Sequence, residues 1–378
     1  MRNLLQSVAF AAYRRFFHLV PRAVFYPLMR LVYPPSKAKP LMMYVDVVSA
    51  CNLRCPSCAV GNSGPVTGMT RMSMETFEKI IQKGKRDYNA VGVGLYNWTE
   101  PLLHPDLAQF IHFVKKQKLL CTLSTNLNII RNIEDILMAE PDSIRISLSG
   151  FSQEIYGQTH ARGNIETVKE NMQALSEAKK KTKNRKTVIY VYYHKYRHNL
   201  EELNTMKAYA KSLGFDWLED WAYYTPLERV LELAENKLSD DRQRFVDQQF
   251  ALPISQAIEA AKPFKNERCN ILDDQLVIDA AGNLNLCCAT YEPETGRLGK
   301  FLEMSKEEIG KAKSGHPTCG RCAAHGLHAY FSYMNHPVLR GKYDKLAKEN
   351  LAQPLVPRTP IQEIKTPPEV NSAVSLIK

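Results

Sequence analysis

The sequence predicts an α/β fold, a series of parallel βαβ units followed by a small α+β unit. Three observations carry this. From residue 42 onward, apolar β-type runs alternate with amphipathic helical stretches, the pattern of strands joined by crossover helices. Between residues 268 and 330 the text changes to short strand-like runs about a glycine turn, then a helix. The nine cysteines fall into a group of three, a group of four and two single residues.

The strand candidates are Met43–Ser49, Val91–Tyr96, Leu120–Ser124, Ser143–Leu148, Thr187–Tyr193 and Phe215–Trp221. Helical patterns fill the gaps at Met74–Lys85, Asp106–Lys116, Glu134–Ala139, Ile165–Lys180 and Leu200–Leu213. Ser73 is the expected N-cap of the first. Glu228–Ala261 reads as largely helical. The expected division is a basic amphipathic segment over 1–40, the βαβ body over 41–235, a linker helix over 236–267, a cysteine-rich unit over 268–335, and a C-terminal helix with a proline-rich tail over 336–378.

The 44% hydrophobic content is ample for a core, and no run of about 18 apolar residues appears, which argues against a spanning helix. The net charge of +11 is concentrated at one end. Arg2, Arg14, Arg15, Arg22, Arg30, Lys37 and Lys39 precede the first acid, Asp46, and without them +4 remains. A charge this local argues against a nucleic-acid surface. The segment lacks a small-residue cleavage site after an apolar core, so a secretory leader is disfavoured. It reads either as an interfacial anchor over residues 1–36 on the inner face of a membrane or as helices covering the back of the body. Clustered short cysteine spacings without a leader point to thiolate metal chemistry in a reducing cytoplasm.

The first cysteine group, Cys51, Cys55 and Cys58, follows the first strand directly, with C-x3-C-x2-C spacing. Three thiolates can hold three irons of a cubane and leave the fourth open, whereas structural clusters and zinc sites use four protein ligands. Here the chain resembles the radical S-adenosylmethionine (SAM) enzymes. The resemblance implies a partial (β/α)6 barrel with the cysteine loop at the carboxyl ends of its strands. It implies a [4Fe–4S] cluster whose open iron binds SAM, reductive cleavage to a 5′-deoxyadenosyl radical, and hydrogen abstraction from substrate. It implies a flavodoxin- or ferredoxin-type electron donor. The family's aromatic before the third cysteine is Ser57 here.

Further motifs extend the resemblance. Tyr96-Asn97-Trp98-Thr99-Glu100-Pro101 stands where the family has Gly-Gly-Glu-Pro, keeping Glu100 and Pro101 while Trp98 and Thr99 replace the glycines. Ser124-Thr125-Asn126 resembles Thr-Asn-Gly, with Leu127 in the glycine position. Ile146-Ser147-Leu148-Ser149-Gly150 resembles Ser-Leu-Asp-Gly and is followed by Tyr156 and Arg162. The resemblance implies SAM contacts from Thr99, Glu100, Asn126, Ser147 and Arg162. A guanidinium suits a carboxylate through paired charge-assisted hydrogen bonds.

The second group, Cys269, Cys287, Cys319 and Cys322, brackets a hairpin signal turning at Gly282 and a helix behind Ser305, with Glu308 as a capping-box partner. It resembles the C-terminal SPASM/twitch extensions of the family. The full SPASM pattern needs seven cysteines, and no cysteine follows Cys322, so the single-cluster twitch form fits. That implies a second, auxiliary [4Fe–4S] cluster, closed on all sides and suited to electron transfer. Four thiolates also suit structural zinc.

Cys121 reads as a buried apolar residue. Cys288 reads as a packed thiol on the hairpin or as a hydrogen-atom donor to a substrate radical, with neighbouring strand positions pointing it away from Cys287. The aromatics Tyr192, Tyr193, Tyr196, Trp217, Trp221, Tyr223 and Tyr224 read as core and pocket rim. The expected enzyme is a radical SAM oxidoreductase or epimerase. Its substrate is a small or lipid-linked carbohydrate-type molecule or, alternatively, a ribosomal peptide. The reading from another class is a non-catalytic iron–sulfur or zinc scaffold.

Overall fold

The computed structural model describes residues 41–62 and 68–353. The basic N-terminal segment and the proline-rich tail lie outside the described residues. Six strands form the body: β1 (Leu41–Val45), β2 (Ala90–Gly94), β3 (Leu120–Thr125), β4 (Ser143–Leu148), β5 (Val188–Lys195) and β6 (Asp216–Trp221). Each pairs in parallel with the next. This is the parallel-strand α/β arrangement of a partial (β/α) barrel, and the crossover helices follow the amphipathic stretches of the sequence within three residues at each end.

Local chemistry explains the elements. Ser73 caps the helix Met74–Tyr88 by accepting the Thr76 N–H at 3.2 Å. Residues alternate between faces along each strand. On β4, Ile144, Ile146 and Leu148 enter the helix-facing core, as do Ile189, Val191 and Tyr193 on β5. Arg145 and Ser147, and Tyr190, Tyr192 and His194, therefore take the opposite face, the barrel interior. Gly94 makes room on that face, since a Cβ there would meet the Tyr44 ring at 2.8 Å.

The cysteine-rich unit joins the same sheet. β7 (Gln275–Ile278) pairs in parallel with β1, and β8 (Asn283–Asn285) and β9 (Arg297–Lys300) follow antiparallel. The sheet order is β6-β5-β4-β3-β2-β1-β7-β8-β9, so the hairpin extends the barrel sheet instead of building a separate one. Gly282 turns it at φ +78°, and the helix Lys306–Lys313 carries the full Ser305/Glu308 capping box.

The expected linker helix over 236–267 is corrected. Two helices, Asp240–Gln249 and Ile254–Ala261, occupy that stretch. They break where Pro253 stands, because proline cannot donate to a preceding turn. Nor are they a linker: Phe245, Phe250, Leu252, Ile254 and Ile258 are buried in a second core with Tyr224, Tyr330, Tyr333 and Tyr343. The helix Pro337–Leu351 closes that core. Among the described residues no helix is long and apolar enough to cross a membrane.

Candidate metal centre

Cys51, Cys55 and Cys58 lie on the loop between β1 and the short helix Ala59–Asn62. The loop turns tightly: the Cys58 N–H donates to the Cys55 carbonyl and the Gly61 N–H to the Cys58 carbonyl, both at 3.0 Å. Gly61 is required by this path, because a Cβ there would stand 1.9 Å from the Cys55 carbonyl oxygen. Burial pushes Cys51 up to about 12, with Glu100 and Cys58 adding to it. Cys55 is raised by burial, then by the charges of Cys58 and Cys51. Cys58 is raised by burial while backbone N–H groups of Val60, Gly61 and Ala59 work the other way. Thiols so placed stay protonated unless a cation takes them as thiolates, the metal-binding form.

Acids and amides brace this loop. Asp46, at the end of β1, accepts the Asn97 N–H at 2.8 Å and the Thr99 hydroxyl at 2.7 Å. The Trp98 and Thr99 N–H groups add longer bonds at 3.3 Å. Burial raises its carboxyl to about 6 against those hydrogen bonds. Sequence reasoning missed Asp46, although an acid inside an apolar β run is itself a signal. Thr99 thus commits its hydroxyl to Asp46. Glu100 is buried, and its oxygens accept the Leu102 N–H at 3.1 Å and the Asn126 N–H at 2.8 Å. Its carboxylate ties the loop after β2 to the loop after β3, and burial raises it to about 7.

The Asn126 side chain donates to Asn52 at 2.9 Å and to the Cys51 sulfur at 3.6 Å, which puts it against the cysteine loop. Leu127 holds φ +54° where the family has glycine, with its N–H on the Thr125 hydroxyl at 2.9 Å. Ser147 Oγ lies 3.4 Å from Ser124 Oγ. Arg162 is exposed, at φ +71°, beside Ala161, whose carbonyl accepts the Arg54 N–H from the cysteine loop at 3.0 Å. Ser57 meets an aromatic after all: its hydroxyl is 2.7 Å from that of Tyr196, supplied by the end of β5.

The second group also converges. Cys269 is the N-cap residue of the helix Asn270–Asp274, Cys287 follows β8, and Cys319 and Cys322 sit one turn apart on the helix Pro317–Ala324. Burial raises all four, with Cys269 and Cys319 at about 11; the other thiols of the group raise Cys269, Cys319 and Cys322 further. Lys313 is partly buried within reach of the charges of Cys287, Asp273, Cys319 and Cys269, its ammonium on the Leu272 and Gln275 carbonyls at 3.1 Å. Among the described residues no three Cys, His, Asp or Glu side chains are arranged to hold a single ion. A cubane seats each thiolate on a different iron and accepts wider spacing than a zinc ion with its bonds of about 2.3 Å.

Cys121 is fully buried on β3, as expected. Cys288 corrects its expected setting: it stands on the turn after β8, so strand alternation does not set its direction. The two cysteine groups are joined through Trp98, whose indole packs edge-on to Tyr291 with ring centroids 6.1 Å apart. Tyr291 feels the charge of Cys58 and Cys51, and its N–H donates to the buried Glu228 at 3.0 Å.

Residues 45–206 match the sequence model of the Radical SAM superfamily. No curated protein matches the chain. Among solved structures, native anSMEcpe with bound AdoMet aligns at 14% identity and TM-score 0.49, covering 82% of this chain and 100% of its own. Streptococcus suis SuiB bound to S-adenosylmethionine aligns at 13% and 0.48, covering 73% and 68%. BtrN in complex with AdoMet and 2-DOIA aligns at 14% and 0.39, covering 81% and 92%. Residues 45–206 of this chain are therefore similar to a radical SAM domain.

Proposed function

We propose that the protein is a radical SAM enzyme with two [4Fe–4S] clusters, one on Cys51, Cys55 and Cys58 and one on Cys269, Cys287, Cys319 and Cys322. When bound, the reduced first cluster supplies the electron that splits SAM to a 5′-deoxyadenosyl radical, and the second accepts or returns an electron. The observation that carries this reading is the division of the partly buried thiols: three interact on one side of the Trp98 bridge and four on the other. Three leave one iron open for SAM, and four close a cluster for electron transfer.

The chain's own residues have separable tasks. Asp46 and Glu100 hold the loops around the open site, and Asn126 donates to the Cys51 sulfur, a contact that tunes cluster potential. Thr99, Glu100, Asn126, Ser147 and Arg162 are the proposed SAM-contact positions, and the Tyr196 hydroxyl meets Ser57 in the cysteine loop. The proposed substrate is a small or lipid-linked carbohydrate-type molecule in the tyrosine-lined barrel interior, where aromatic faces suit sugar rings. A flavodoxin- or ferredoxin-type donor is the proposed reductant. The net change is dehydrogenation or epimerisation, and Cys288 is the candidate hydrogen-atom donor for the redox-neutral outcome.

Metal analysis after anaerobic purification tests the ligand assignment. The expected content is about eight irons per chain, falling to about four in Cys319→Ala. Zinc in place of iron at the second group would overturn the auxiliary cluster.

A further inference from the structure

Arg145 stands on β4 with its side chain on the interior face, between Ile144 and Ile146 of the core face. Its Nε donates to Ser124 Oγ at 2.9 Å. Its guanidinium lies over the Tyr96 ring at 4.9 Å and the Tyr192 ring at 5.4 Å. The register sets Tyr190 directly beside it. Among the described residues it has no carboxylate partner. Asp220, reached through Tyr192, has its own cation: it binds Arg340 and the Tyr192 hydroxyl, both at 3.2 Å. His194, held neutral by burial and by Arg145 itself, supplies no counter-charge.

A guanidinium inside a protein without an anion is costly, and aromatic faces offset only part of that cost. Nε is used on Ser124, so both terminal NH2 groups remain to make the paired fork to an oxyanion. Arg145, Tyr96 and His194 are only partly buried, so solvent reaches the interior face around it. The proposed SAM-contact positions lie nearer the carboxyl ends of the strands, and the adjoining one, Ser147, meets the same Ser124 hydroxyl as Arg145, at 3.4 Å. Ser147 is two residues nearer the carboxyl end of β4, about 6–7 Å along the strand, and Arg162 lies beyond it on the loop.

We propose that Arg145 is the substrate anchor, binding a carboxylate or phosphate carried by the substrate on the barrel floor below the SAM site. This rests on the reading of the interior as the substrate space. It narrows the substrate to an anionic molecule, such as an acidic or phosphorylated sugar, and gives the tyrosines around Arg145 the task of packing its uncharged part.

The test uses the full chain with its clusters and two probes, inorganic phosphate and acetate, measured by calorimetry. At least one probe is expected to bind the wild type and to bind Arg145→Gln at least tenfold more weakly, with Arg145→Lys intermediate because it loses the fork. Phosphate dependence alone identifies a phosphorylated substrate, and acetate dependence a carboxylate. A second measurement avoids the variants: the same probe should slow phenylglyoxal modification of Arg145 in the wild type at least threefold by peptide mapping. Equal binding in Arg145→Gln, or modification of Arg145 unaffected by either anion, overturns the proposal. Neither readout needs SAM cleavage, so a wild type that binds the anion but cleaves no SAM contradicts the proposed function and leaves the anchor standing.

Discussion

The indole Nε1 of Trp98 donates to the backbone carbonyl of Thr290 at 3.0 Å. That bond joins the loop after β2 to the segment that follows Cys287, across the seam where β7 has been added beside β1. The loop in question carries Trp98 and Thr99 where the superfamily resemblance places two glycines. The substitution therefore has a structural use: the large side chain that glycine lacks is what reaches the cysteine-rich unit.

Removing this bond should have a graded effect. Trp98→Phe keeps a ring against Tyr291 and loses the donor, which is expected to cost about 1 kcal/mol. Trp98→Ala also loses the packing and should cost about 3 kcal/mol. Urea unfolding of the apo chain measures both, and equal costs would show that the hydrogen bond contributes nothing.

The cysteine loop depends on Gly61. Adding one methyl group there drives a Cβ into the Cys55 carbonyl, 1.9 Å away, a backbone atom that cannot step aside. Gly61→Ala should therefore lose the first cluster and keep the second, leaving about four irons per chain. Full iron content in this variant would show that the loop takes another path.

Two buried carboxyls predict a pH dependence of the apo chain. Burial raises Asp46 from 3.8 to about 6 and Glu100 from 4.5 to about 7. A raised carboxyl holds its proton more tightly in the folded state than in the unfolded one. Its stabilising contribution is thus complete below about pH 4 and is lost as pH rises through 6 to 7. For Glu100 alone the loss is about 3 kcal/mol. Stability measured from pH 5 to 8 should fall, and Glu100→Gln should flatten that slope whatever its absolute stability. An unchanged slope would contradict the buried, ionisable setting of Glu100.

Lys313 places a positive charge beside the second cysteine group. Lys313→Met should shift the potential of a cluster bound there to more negative values, because the reduced, more anionic state loses its neighbour. Protein-film voltammetry or a redox titration followed by EPR reads this. A potential unmoved by the substitution would show that the ammonium acts only on the Leu272 and Gln275 carbonyls.

The barrel was legible because its strands and helices carry period-2 and period-3.6 patterns; Ser143–Leu148 was read to the residue. The first cysteine group stands out by its C-x3-C-x2-C spacing, and the second by a hairpin signal, a helix and a C-x2-C taken with the family resemblance. Three kinds of information were not. The pairing of β7 with β1 is a contact between segments more than two hundred residues apart, which no local pattern encodes. The partner of Ser57 is Tyr196, just past the end of β5 and 139 residues away in sequence, a contact no local pattern encodes. Arg145 read as one more residue of the fourth strand; only the alternation fixed by Ile144 and Ile146 shows that its charge points inward. Trp98 was marked as a departure from the family pattern, and its partner Thr290 explains it.

The central claim is that the two cysteine groups do different work, the first starting the chemistry and the second managing its electrons. The most direct measurement is dithionite-driven formation of 5′-deoxyadenosine by the anaerobically reconstituted chain, compared between wild type, Cys55→Ala and Cys319→Ala. Cleavage in the wild type, its abolition in Cys55→Ala and its survival in Cys319→Ala are predicted. Loss of cleavage in both variants, or no cleavage by an iron-loaded wild type, would contradict it.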